Sequence, residues 1–212
     1  PGQQGYLEDN GNPGYNPDAA KKLMDEYIAE KGSKPKLIYS TVPDQTALQS
    51  AELITGWWKA AGADVTIQQI EQSKLITNAL LGDDAFNAFG WRNHAGLVVD
   101  NQYYWWHTSS ALPKGAPALN FGRMKDAEID KLLDQARAEP DPAKQEQLAE
   151  EINKRMISEC YVIPTTWAIW GIGMSTSIQN VGASVMPDNK SILKDGAGFP
   201  GQIWLNNVWL KK

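Results

Sequence analysis

The chain has 212 residues, of which 42% are hydrophobic and 21% charged, the make-up of a folded globular chain rather than a disordered one. Its net charge is -5 and its basic residues are not concentrated, which excludes a nucleic-acid footprint. No apolar run approaches the roughly 20 residues of a membrane span, and the single cysteine, Cys160, excludes an internal disulfide and reads as a small buried apolar residue.

Residues 1–14 are rich in Gly, Pro, Asn and Gln and read as an irregular lead-in or linker; they hold no basic segment and no apolar core of a signal peptide. Asn16-Pro17-Asp18 then starts a helix: a capping side chain, a proline suited to the first helical position and an acid at the positive helix end. Ala20, Leu23, Met24, Tyr27 and Ile28 fall on one face, and Gly32 stops the helix. Leu37 to Ser40 reads as a strand, Thr46 to Ala61 as a helix closed by Gly62, and Val65 to Ile70 as a second strand. This order is a βαβ unit, which predicts parallel strands with a right-handed crossover.

A helix from Ser73 to Leu81 and a third strand from Phe86 to Trp91 follow. Next comes a loop with Arg92, Asn93, His94 and Asp100, and then four large aromatics in a row, Tyr103, Tyr104, Trp105 and Trp106. Such a run is either core or a contact surface, and adjacent helical residues diverge by about 100°, so at most one or two of the four can face a ligand. A strand end flanked by charges and rings is where α/β folds bind small molecules.

Two helices come after a Pro/Gly loop. The first starts near Asp126 with Ile129, Leu132, Leu133 and Ala136 as its apolar stripe; the second starts at Asp141-Pro142 with Leu148, Ile152 and Met156. Glu128, Asp130, Asp134 and Glu139 read as solvent contacts on a helix face. Tyr161 to Pro164 reads as a strand cut short by proline, and Ile203 to Leu210 as a last strand after a glycine-rich tail.

Four stretches together resemble the extracytoplasmic solute-binding proteins of peptide-type ABC transporters, the dipeptide, oligopeptide and nickel-binding family (bacterial extracellular solute-binding protein family 5). They are Tyr15 to Leu23, Gly90-Trp91, the helix pair Asp126 to Leu133 with Asp141 to Lys144, and Tyr161 to Pro164. The resemblance implies an α/β chain with a mixed sheet flanked by helices, one lobe of a type II periplasmic-binding-protein-like fold. Residues 15–212 would be the C-terminal lobe, with the N-terminal lobe outside this sequence.

It further implies a monomeric, extracytoplasmic, non-enzymatic clamp without cofactor or resident metal. The clamp would close on a small solute, a peptide first of all, and present it to a membrane permease. An oligosaccharide or a nickel complex is the alternative within the family, and a protein-interaction module with an aromatic surface the alternative outside it. In peptide-binding members an Asp shortly after the Gly-Trp strand end pairs with the peptide amino terminus, and Asp100 takes that place here. The family commonly has Asp-Pro-Asp there, where this chain has Asp100-Asn101-Gln102.

The ligand-contacting candidates are therefore Trp91, Arg92, Asn93, His94 and Asp100. Each also has a plainer reading: Trp91 a core ring, Arg92 a solvated loop cation, Asp100 a helix cap. His94 and His107 are the only histidines, and no Cys or acid cluster stands at ligand spacing around them. No P-loop, G-x-S-x-G, H-E-x-x-H or dinucleotide fingerprint is present, which leaves catalysis unsupported.

Overall fold

The computed structural model describes residues 4–82, 87–92, 99–166, 173–181 and 208–211. Its first part is a layered βαβ arrangement. Asn16 caps α1 (Pro17–Lys31) by accepting the Ala19 amide at 2.9 Å, and Asp44 caps α2 (Gln45–Ala61) in the same way through Ala47. Between them β1 (Lys36–Thr41) pairs in parallel with β2 (Asp64–Gln69) over its whole length, from Lys36 opposite Asp64 to Thr41 opposite Gln69. After α3 (Gln72–Leu81) the short β3 (Ala88–Phe89) adds to the other side of β1, also in parallel, giving the order β2-β1-β3.

Side chains alternate across this sheet, as the period of a strand requires. Leu37, Tyr39, Val65, Ile67 and Ala88 pack with Ala51, Ile54 and Trp58 of α2. Val42 and Phe89 instead join Leu75 and Ala79 of α3. Both sheet faces are thus covered, which is the condition under which parallel strands are stable. α1 lies outside this sandwich and touches it through Met24, with no buried residue of its own. The expected apolar face of α1 is therefore only partly used: Leu23 is 66% exposed.

The second part is helical. A 3₁₀ turn, Val99–Gln102, leads into the single-turn α4 (Tyr103–Trp106). Then come α5 (Ala127–Ala138), capped by Asp126, and α6 (Pro142–Ser158), capped by Asp141. The expected stripe of α5 is buried against Ala149, Ile152 and Met156 of α6, with Val99, Tyr103 and Trp106 closing the cluster. The lead-in is docked on α6: Glu146 accepts the Gly5 amide and Asn153 donates to the Gly5 carbonyl. Gly5 has φ +76°, and a Cβ there would stand 2.8 Å from Asn153, so the position requires glycine.

Three local expectations are corrected. No strand forms between Tyr161 and Pro164; Tyr161 bonds to Asp126 and Val162 packs on the helical core, while proline offers no amide for a ladder. Cys160 is exposed, at φ +53° just past α6. The tail also carries β4 (Ile178–Gln179), paired antiparallel with β5 (Trp209–Leu210). Phe86 and residues 203–207 lie outside the described residues.

Candidate ligand-binding site

β1 and β3 run in the same direction, so their C-terminal ends open on one edge of the sheet, the edge at which α/β folds hold ligands. The chain leaves β3 through Gly90 to Trp91. A Cβ at Gly90 would stand 3.2 Å from the Tyr39 hydroxyl, so glycine lets this strand end close over β1. Burial pushes the Tyr39 pKa up, which keeps that hydroxyl neutral.

Trp91 is held by its edges. Its ring meets Phe121 at 4.7 Å and 69°, and Phe89 at 6.3 Å and 87°. Trp105 meets the same Phe121 at 5.6 Å and 88°. These T-shaped contacts each add about 0.5–1.5 kcal/mol beyond buried area. Trp91 nonetheless stays 37% exposed, a fixed ring with surface left for a partner.

The aromatic run divides by side. Tyr103 and Trp106 pack on the α5–α6 core, and the Trp106 indole N–H donates to Gln102 at 3.0 Å. Trp105 turns to the Trp91 cluster, and Tyr104 is 61% exposed.

Opposite the Trp91 cluster a polar seam joins α4 to α5. Asp100 accepts a hydrogen bond from Arg137 Nε, and the Arg137 guanidinium carbon lies 3.6 Å from the centre of the Tyr103 ring. His107 stacks on that ring at 4.1 Å and 11°. Two groups that close to one ring centre cannot share a face, so Tyr103 is sandwiched between Arg137 and His107. The His107 Nδ1 accepts the Ser109 amide at 3.0 Å, which puts the proton of the neutral ring on Nε2, 3.2 Å from the Tyr103 hydroxyl. Nε2 also lies 3.8 Å from Asp130 and 3.7 Å from Asp134. The Asp100 hydrogen bond pushes the Arg137 pKa up, against the opposing effect of burial. Asp130, which further accepts the Thr108 amide at 2.7 Å, and Asp134 thus serve this seam rather than solvent alone.

A separate polar centre holds the helices together. The Asp126 carboxylate is only 5% exposed. It takes Arg155 Nε and Nη2 at 2.8 Å, the Tyr161 hydroxyl at 2.7 Å, and the amides of Glu128 and Ile129. Burial alone would raise its pKa, but the Arg155 and Tyr161 hydrogen bonds and the two amides outweigh it and hold the carboxyl well below the usual range.

Of the predicted site residues, Trp91 and Asp100 flank α4, one by the Trp105 side and one by the Tyr103 side, and Arg92 is exposed beside Trp91. Asn93 and His94 lie outside the described residues. Asp100 is engaged by Arg137 rather than by a helix amide. Phe121 and Arg137 escaped the sequence reading. Phe121 sits in a loop without periodicity; Arg137 could have been found from its place at the end of the Asp130, Asp134, Arg137 stripe, spaced four and three along α5. Among the described residues no group of three or more His, Cys, Asp or Glu side chains is placed to hold a metal ion. No described helix is long and apolar enough to cross a membrane.

The fold is shared with oligopeptide-binding proteins of known structure. The oligopeptide-binding protein AppA of Bacillus subtilis, solved with a nonapeptide, matches 99% of this chain and 41% of its own, at 18% identity and a TM-score of 0.63. A periplasmic oligopeptide-binding protein of Thermotoga maritima, solved with mannohexaose, matches 76% of this chain and 33% of its own, at 18% identity and a TM-score of 0.63. This is the α/β architecture of type II periplasmic binding proteins. A profile described as "Bacterial extracellular solute-binding proteins, family 5 Middle" matches residues 1–115, and the chain belongs to that family. The oligopeptide-binding protein OppA of Mycobacterium tuberculosis H37Rv is 25% identical over 197 residues, 88% of this chain; the chain spans 32% of that relative's length.

Proposed function

We propose that residues 15–212 form the C-terminal lobe of a two-lobed extracytoplasmic receptor, with residues 1–14 as its lead-in. The receptor captures a small solute, a peptide in the first place, by closing its lobes on it, and hands it to an ABC permease without chemical change. It works as a monomer and needs no cofactor. The observation that carries this reading is Trp91: a ring fixed by Phe121 and Phe89 at the end of a parallel strand, and still 37% open. A ring held in place beforehand loses little entropy when a ligand packs on it. Arg92, Asn93, His94 and Asp100, which follow it in sequence, supply the polar contacts. Membership of family 5 and the kinship with OppA favour a peptide.

An oligosaccharide is the second reading. The cluster of Trp91, Phe121 and Trp105 favours it, since flat rings stack on sugars, and the Thermotoga relative was solved with mannohexaose.

Native mass spectrometry of the full-length receptor, as purified, tests both. A retained mass that fragments as a peptide is the expected result. A hexose series establishes the second reading, and turnover of the retained molecule overturns both.

A further inference from the structure

The Asp100 carboxylate already has a cation within its own chain. Arg137 bonds it through Nε and is itself held over the Tyr103 ring at 3.6 Å. That ring cannot swing away, because His107 stacks on its other face and Tyr103 packs on the helical core. Arg137 is also anchored at its root: α5 buries Ile129, Leu132, Leu133 and Ala136 on its inner side. The guanidinium is therefore held in place by the fold itself. An arriving ammonium finds Asp100 neutralised and has to displace Arg137 or share the carboxylate with it.

We propose that Arg137 is a specificity-determining residue of the solute site: it competes internally for Asp100 and lowers the preference for solutes that present a free ammonium. This rests on the reading of the chain as a receptor lobe. Asp100 and Arg137 are both partly exposed, with side chains 48% and 39% open, so the competition is modest in size. The occupied Asp100 favours solutes whose end at this position is neutral, such as a blocked or internal peptide segment. It also favours solutes that engage the Trp91 cluster more than the carboxylate. Arg137 acts through Asp100 and is a positioning residue in that sense.

The test uses the full-length receptor and two probes, penta-alanine and N-acetylated penta-alanine, with Kd measured by calorimetry. Arg137→Gln is expected to raise the preference for the free amine by about fivefold, while Arg137→Lys, which keeps the charge, stays within about twofold of wild type. Asp100→Asn, alone or with Arg137→Gln, removes the preference. A ratio unchanged in Arg137→Gln overturns the proposal, as does an equal loss of affinity for both probes, which is what a purely structural role gives. If neither peptide binds any variant, the peptide reading fails, and the competition is read on the ligand-free protein. There the Arg137 Nε–H proton exchanges slowly in wild type and fast in Asp100→Asn if the pair is formed; equal exchange overturns the proposal.

Discussion

The βαβ part and the helical part hold together in different ways. In the first, a parallel ladder carries the structure and, among the described residues, four apolar ones, Tyr39, Ala51, Ala63 and Val65, are buried in its main cluster. In the second, nine buried apolar residues among those described form one cluster around α5 and α6, and a buried carboxylate network pins the helix start to its neighbour. The candidate site lies where the two meet. Phe89 comes from the ladder and Trp91 from the chain just past it, and Trp105 and Phe121 from the chain that leads into the helices. The helical part gives rigidity, and the strand end gives an exposed ring to a surface that the helices hold still.

Substitutions sharpen this contrast. Leu133→Ala, in the helical core at 1% exposure, is expected to cost about 3 kcal/mol in urea unfolding. A loss under about 1 kcal/mol would mean that the helical part is not the rigid one. Asp126→Asn leaves Arg155 and Tyr161 without their charged acceptor and is expected to cost about 2 kcal/mol.

The pH dependence of that second effect has a definite sign. The folded carboxyl is held below its unfolded value, so its stabilisation is complete above about pH 4 and is lost as the pH falls toward the folded value. Unfolding free energies of wild type and Asp126→Asn should therefore converge on acidification below about pH 4. Parallel curves would show that Asp126 titrates normally.

Trp91→Ala should cost only about 1 kcal/mol of stability, because its ring is partly open and its burial incomplete. Leu23→Lys on α1 should stay within about 0.5 kcal/mol of wild type, since that side chain is largely exposed. A larger loss would show that this face is covered.

Local chemistry made most of the fold legible in advance. Asn16-Pro17, Asp126 and Asp141-Pro142 each cap a helix where the sequence predicts one. The βαβ order predicts the parallel pairing of Lys36–Thr41 with Asp64–Gln69, and the spacing of Ile129, Leu132, Leu133 and Ala136 predicts a buried stripe. What stayed hidden depends on contacts distant in sequence. Burial of Leu23 depends on what lies over α1, not on its period. Tyr161 is drawn out of a strand by a carboxylate 35 residues away. The site was half legible: Gly90-Trp91 marked the strand end, but nothing near Asp100 announces that Arg137, 37 residues on, holds it. Phe121 gave no signal at all, since a loop ring reveals its partners only in three dimensions.

Under the proposed receptor function, Trp91 presents a fixed ring to the solute. Calorimetric titration of the full-length receptor with its identified solute tests it most directly, comparing Trp91→Ala with Tyr104→Ala as an exposed aromatic control. Trp91→Ala should lose at least about tenfold in affinity and Tyr104→Ala less than about threefold. Equal affinities of Trp91→Ala and wild type would contradict it.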